Sequence, residues 1–257
     1  MTVTKDEAPK PSGVAAVDRA LAIVAALAAA AEPMTLSELS RASQLYKSTI
    51  LRLLESLERA QYVSRLPDAR YVLGSMAYRL GMAYERTNNV VAHVAPILDE
   101  LVAAGTESAS FHIPYAHDQR LCVLRKDSNH STLDSVRAGQ VLPLKGAAGK
   151  VVLAFQAAGP AADMRRVGLV ESYGERDASC AGIACPVVGP EGCFIGALSL
   201  SGPIVRFTPD AVARMSPLLF EAAQRASARF GGRLDEAPSM RARRKAPRKG
   251  LASGQGA

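Results

Sequence analysis

Met34 to Tyr71 reads M-T-L-S-E-L-S-R-A-S-Q-L-Y-K-S-T-I-L-R-L-L-E-S-L-E-R-A-Q-Y-V-S-R-L-P-D-A-R-Y, and this stretch decides the fold of the N-terminal part of the chain. Thr35 and Glu38 stand at capping-box spacing: the hydroxyl can accept from the Glu38 N–H while the carboxylate reaches back to the Thr35 N–H. Met34 and Leu39 flank that cap at hydrophobic-staple positions. A short helix therefore starts here and gives way near Ser43-Gln44. A longer one is predicted from about Tyr46 to Ala60, because Ile50, Leu53, Leu54 and Leu57 keep the i, i+3, i+4, i+7 spacing of one buried face.

On that wheel Ser48, Arg52, Glu55 and Arg59 point away from the core, with Thr49 on the flank and Lys47 at the edge. Short helix, tight turn and longer helix with a polar outer face make a helix-turn-helix pattern, whose second helix enters the major groove of DNA. Residues 62–65 and 70–73 then read as a β-hairpin around Leu66-Pro67-Asp68-Ala69. Such a hairpin is a wing, with Arg65 and Arg70 placed to meet phosphate. Lys47, Ser48, Thr49, Arg52, Arg65 and Arg70 are the candidate DNA-binding residues.

The third apolar surface this unit needs lies upstream. Ala20 to Ala31 has the length of a signal-peptide core. Asp6, Glu7 and Asp18 precede it where a secretory signal would be basic, and it is too short to span a bilayer. It reads as the first helix, from about Val14 to Ala30, stopped by Glu32-Pro33. The expected compartment is the cytoplasm, with no membrane contact.

The net charge of +7 is a property of the C-terminal end. Arg241, Arg243, Arg244, Lys245, Arg248 and Lys249 supply six positive charges beyond the last acid, Glu236, and without them the balance falls to +1. Residues 1–13 read as a disordered leader and 233–257 as a basic disordered tail. Cys122, Cys180, Cys185 and Cys193 show neither C-x-x-C nor zinc spacing, so they are either buried free thiols or, for Cys180 and Cys185, a thiol sensor. The four histidines are scattered; no metal site and no cofactor are expected.

After the wing, residues 75–89 suggest a linker helix that also serves as a dimer contact, and 90–104 a helix opening a second domain. Ala109–Tyr115, Leu121–Lys126 and Leu133–Arg137 look like strands, followed by a helix from about Ala147 to Ala157. Gly182–Val188 and Cys193–Ser201 form a hairpin around Gly189-Pro190-Glu191-Gly192. A last helix opens at Thr208-Pro209 and ends at Gly231-Gly232. Strands and helices in this mixed order give an α+β domain with a mainly antiparallel sheet over 90–232, behind a winged helix-turn-helix over 14–74.

Three segments carry a resemblance. Residues 36–57 with the wing and Tyr71-Val72-Leu73-Gly74 resemble the DNA-binding half of the IclR family of bacterial transcription regulators. Residues 136–150, V-R-A-G-Q-V-L-P-L-K-G-A-A-G-K, resemble that family's signature at the mouth of its effector pocket. Residues 174–187 and 196–203 resemble the strands flooring it. The resemblance spans most of Val14 to Gly232 and implies a GAF-like C-terminal domain that binds a small molecule, often a carboxylate or an aromatic catabolite. It also implies dimers, or dimers of dimers, on palindromic operators. Three departures stand out: Gln44 occupies a turn position that is usually Gly, Leu51 replaces a commonly polar residue, and the segment between Gly149 and Gly174 is short. Leu51 either touches a thymine methyl or packs half-buried. The short segment means either a more open pocket or a lost ligand.

The candidate effector-binding residues are Leu144, Gly146, Ala147, Gly149, Glu175, Asp177, Ala184, Ser199 and Ser201. Gly146 to Gly149 open a helix whose free N–H groups suit an anion, although Leu144 and Val151 break the P-loop pattern. Ser199 and Ser201 share one face of a strand, either the concave one or the solvent side. Glu175 and Asp177 either close the rim or are plain surface charges, and Leu144, Ile183 and Ala184 are expected as an apolar wall. Two other readings compete with a ligand-responsive regulator. One is a DNA-binding protein whose second domain only oligomerises. The other is an enzyme with Cys180 or Ser199 as nucleophile, which lacks a base because no His lies in the later strands.

Overall fold

The computed structural model describes residues 13–130, 134–156 and 168–235, and the chain divides between Asn88 and Asn89 into two compact units. The predicted leader, apart from Gly13, and most of the basic tail lie outside the described residues.

In the N-terminal unit α1 (Ala15–Ala29), α2 (Leu36–Ser43) and α3 (Lys47–Arg59) close on a core of Ile23, Leu27, Leu39, Ile50, Leu54, Leu57, Val63 and Tyr71. The α1 segment is thus a core helix of this unit, with Ile23 fully buried. Both halves of the capping box form: the Thr35 N–H donates to Glu38 Oε2 at 2.7 Å, and the Glu38 N–H donates to Thr35 Oγ1 at 3.3 Å. The backbone and side-chain hydrogen bonds from Thr35 hold the Glu38 carboxyl below its usual range. Gln44 follows α2 at φ 55°, a left-handed conformation in which an L side chain is strained. The Ser40 hydroxyl braces that turn by donating to the Leu45 carbonyl at 2.6 Å.

The hairpin pairs β1 (Val63–Arg65) with β2 (Tyr71–Leu73) in antiparallel register, Arg65 opposite Tyr71. Met34 adds a single antiparallel bridge on the far side of β2, exchanging backbone hydrogen bonds of 3.0 and 2.8 Å with Tyr71, which fastens the wing to the entrance of α2. Gly74 lets the chain leave the wing: a Cβ there would lie 2.2 Å from the Gln61 carbonyl oxygen. Beyond it runs α4 (Ser75–Asn88), none of whose residues is buried.

The second unit begins with α5 (Val90–Ala103) and holds one six-stranded sheet. Its elements are β3 (Ser108–Ala116), β4 (Gln119–Lys126), β5 (Val141–Pro143), α6 (Gly146–Gln156), β6 (Val170–Tyr173), β7 (Cys180–Val188), β8 (Phe194–Pro203) and α7 (Pro209–Arg229). Strand order is β5-β4-β3-β8-β7-β6, every pair antiparallel. The period-two alternation of strands splits the side chains between the faces. Ala109, Phe111, Ile183, Cys185, Leu198 and Leu200 pack with α5 and α7 in the main core, while Ala184 and Ala197 lie in a smaller cluster with α6.

Two expectations need correction. Asp134–Arg137 is not a strand; the strand pairing with β4 is β5, further on, because Asp134 is held by charged partners instead of a ladder. The hairpin of β7 and β8 around Gly189–Gly192 forms as expected, with a 3₁₀ turn at Pro190–Gly192 and Glu191 at φ 55°. Only two of the four cysteines, Cys122 and Cys185, are buried.

The capping box yields the first prediction. Thr35→Ala should lower unfolding stability of the N-terminal unit by about 1 kcal/mol in urea titrations. Because the folded-state carboxyl titrates low, Glu38's share of the box is present at neutral pH and is lost as pH falls through that lowered value. The gap between wild type and Thr35→Ala should therefore narrow in acid; a gap constant down to pH 3 would mean that Glu38 takes no part.

Candidate nucleic-acid interface and ligand pocket

The first turns of α3 expose Lys47, Ser48 and Arg52, with Thr49 half-buried beside them. None of the four makes a salt bridge within the described residues. Further along, Glu55 and Arg59 pair with each other at 3.4 Å, so the cationic and hydroxylic groups left free are those of the N-terminal half. Leu51 is 50% exposed on the same side. In the wing, the Arg65 guanidinium lies 5.9 Å from the Tyr71 ring centroid, and the Arg70 Nε donates to Asp68 Oδ2 at 2.7 Å. The Arg70–Asp68 pair is solvent-exposed, so its opening costs little. Helix start and wing together present a surface of donors suited to phosphate and base edges.

The second unit carries a pocket on the α6 face of the sheet. Its walls include His112 of β3, Arg120 of β4, Val136, the α6 start at Gly146–Ala148, Ser172 of β6, Arg176, Cys180–Gly182 of β7 and Ser199–Ser201 of β8. The cavity volume is about 40 Å³, and the pocket opens to solvent. The inner part holds about three waters, or one carboxylate group.

Of the expected residues, Gly146, Ala147, Ser199 and Ser201 line this pocket. The others lie elsewhere. Ala184 and Leu144 belong to the small core beneath α6, and Ile183 faces α5 and α7, since neighbours on a strand point to opposite sides. A Cβ on Gly149 would lie 2.5 Å from the Leu144 carbonyl carbon, so that glycine serves helix packing. Glu175 pairs with Lys150. Asp177 accepts from the Ser179 N–H and hydroxyl at 2.9 and 2.6 Å, which lowers its pKa.

The residues that sequence reading missed are charged. Arg120 is buried, and its Nη1 donates to the carbonyls of Pro143 and Lys145. Among the described residues its Nε has no partner, and no carboxylate lies within salt-bridge distance. Burial, helped by Arg176, lowers its pKa to about 10, which leaves it charged at neutral pH. The buried Asp134 is already engaged, 2.6 Å from Arg125 and 3.2 Å from Arg176. His112 is buried too; its Nε2 is 3.0 Å from Ser110 Oγ, which is 3.0 Å from Ser199 Oγ, and its Nδ1 has no partner among the described residues. A signal for part of this was present: Ser108, Ser110 and His112 alternate along one strand face, as Ser199 and Ser201 do. Pairing of β3 with β8 sets Ser110 opposite Ser199, so a His does stand near the later strands. The pocket is polar on its floor, cationic at its side and open at a helix N-terminus, an arrangement that favours an anion. No group of three or more His, Cys, Asp or Glu among the described residues is placed to hold a metal ion.

Comparison with known proteins agrees with this architecture. Residues 16–67 match the IclR helix-turn-helix domain. The chain is similar to the transcriptional repressor IclR of Escherichia coli, 23% identical over 88% of this chain and 93% of that one. In structure it is similar to an IclR transcriptional regulator of Silicibacter sp. TM1040, with a TM-score of 0.73 at 25% identity over 88% of this chain and 98% of the other. It also shares its fold with an IclR homolog from Microbacterium hydrocarbonoxydans complexed with 4-hydroxybenzoate, with a TM-score of 0.71 at 20% identity over 89% and 100% of the two chains.

The pocket geometry makes a prediction about the thiols. Iodoacetamide should label exposed Cys193 first and Cys180 more slowly, and should reach Cys122 and Cys185 only on unfolding. Burial raises the Cys122 pKa to about 11 and pushes Cys185 further still, so neither supplies thiolate. Because Cys180 lines the pocket, an occupant should slow its labelling several-fold without affecting Cys193, as read by mass spectrometry. Equal slowing of both would mean that the occupant binds elsewhere.

Proposed function

We propose that this chain is an IclR-type transcription regulator, a reading that its helix-turn-helix domain and two-part build support, and that it binds a palindromic operator whose occupancy responds to a small carboxylate. The observation that carries the ligand half of this reading is Arg120, a buried guanidinium for which the described chain provides no carboxylate. A charge so placed is costly unless a counter-charge arrives from outside. A ligand carboxylate between Arg120 and the start of α6 supplies it, with Ser199 and Ser201 bonding a second polar group and the remainder of the molecule in the mouth. The fold neighbour holding 4-hydroxybenzoate supports a carboxylate of modest size. A regulator with no small-molecule input is the poorer account, since it leaves the cost of Arg120 unexplained.

On the DNA side, Arg52 and Lys47 with Ser48 and Thr49 read the major groove, while Arg65 and Arg70 hold phosphate. The apolar surface exposed on α4, Tyr78, Leu80, Met82 and Tyr84, with Val14 just before α1 and Val17 and Leu21 on it, suits a dimer contact. Two copies then match the two halves of a palindrome. No helix among the described residues is long and apolar enough to cross a membrane, in keeping with work on DNA in the cytoplasm. No enzymatic role is proposed: Ser110, Ser199 and His112 are buried, and no carboxylate among the described residues orients the His112 Nδ1.

Two outcomes test this reading. Arg52→Ala should weaken operator binding by about 1–3 kcal/mol in fluorescence anisotropy at physiological salt, the worth of one base contact. Unchanged affinity and selectivity would put another element in the groove. Small carboxylates should raise the melting temperature of the wild type. Arg120→Met should abolish that rise while leaving ligand-free operator affinity unchanged; a rise that survives the substitution would place the ligand elsewhere.

A further inference from the structure

We propose that His112 takes up a proton when an anion fills the pocket, so that the ligand binds more tightly as pH falls. The inference rests on reading this pocket as the ligand site and adds a regulatory input to it.

The geometry sets the condition. The His112 ring stands in the pocket wall with Nε2 3.0 Å from Ser110 Oγ and with Nδ1 buried and unpartnered. Ser110 Oγ and Ser199 Oγ are 3.0 Å apart, and either can donate to the other. Ser110 can therefore accept from a protonated Nε2 and pass its own hydrogen to Ser199. An imidazolium has two N–H groups, and among the described residues an acceptor stands within reach of Nε2 and none within reach of Nδ1.

The surrounding charge points the same way. From β4 come Arg120, Cys122 and Arg125; from the loop after it, Asp134; from the loop before β7, Arg176; and at the start of β7, Cys180. β8 contributes hydroxyls alone, and the α6 charge, Lys150, is paired with Glu175. Three guanidiniums thus surround the ring against one buried carboxylate. Burial first, then Arg120, Arg125 and Arg176, hold the imidazole well below its ordinary pKa, so it is neutral in the empty pocket.

A bound carboxylate changes both conditions at once. It supplies an acceptor for the Nδ1–H and a negative charge that offsets the arginines. The balance is one neutral imidazole, one carboxylate and one proton from solvent giving an imidazolium–carboxylate pair. The sign follows from linkage: the occupied pocket has the higher histidine pKa, so the gain in affinity is complete at low pH and is lost as pH rises through that raised value.

Isothermal titration calorimetry on the full chain tests this, with oxalate and 4-hydroxybenzoate as probes, between pH 6 and 8 in buffers of different ionisation heat. The expected result is uptake of about half to one proton per probe bound, with Kd falling by up to about tenfold per pH unit. His112→Gln should bind more weakly and with buffer-independent heat. Should that variant not fold, the wild-type histidine NMR signals decide, because the His112 resonance alone should move to the imidazolium position on adding probe. Measurable binding with no buffer dependence would overturn the proton uptake and leave the pocket reading intact, a neutral ring donating from Nδ1 being then sufficient. Binding of neither probe at millimolar concentration would overturn both.

Discussion

Arg120 is the residue on which the second unit turns. Its guanidinium is buried, its Nη1 is satisfied by two backbone carbonyls, and its charge meets no carboxylate of the described chain. Desolvation shifts its pKa only to about 10, so the group stays charged and the surroundings must tolerate it. They do so through a sheet face made of Ser110, Ser199 and His112 in place of aliphatic side chains. The nearby acid, Asp134, is committed to Arg125 and Arg176. An arrangement left one negative charge short is poor for stability and good for recruiting an anion.

What the sequence showed of the fold divides along the range of the interactions involved. Elements specified by near neighbours were legible: the Thr35–Glu38 box, the Ile50–Leu54–Leu57 stripe, the wing around Pro67-Asp68 and the Thr208 cap all depend on contacts a few residues apart. The short edge strands were not. β5 and β6 contain three and four residues, too few to establish an alternation, and they exist because β4 and β7 offer them a ladder. Residues 134–137 have strand-like composition, yet Asp134 is bound by two arginines and the chain there does not pair.

The pocket was legible in the same partial way. The alternation of Ser199 and Ser201 with Leu198 and Leu200 gave the correct shared face, because side-chain direction in a strand is a local property. The same rule, applied to Ile183 and Ala184, excludes the common wall expected for them. Arg120 and His112 carried no local mark as ligand groups. They reach the pocket through the pairing of β3 with β4 and β8, whose paired residues lie up to 93 positions apart in sequence. Arginine on a strand ordinarily signals an exposed face; only the fold shows that this one is buried.

The central claim is that the C-terminal pocket and the DNA-binding helix report on each other. Its most direct test is the operator affinity of the full chain, measured by anisotropy with and without a saturating carboxylate that has been shown to occupy the pocket. The account predicts a shift of about 5- to 150-fold, the usual range of coupling between two sites, and a reciprocal change of the same size in ligand affinity when operator is bound. Ligand that fills the pocket and leaves operator affinity unchanged would contradict it.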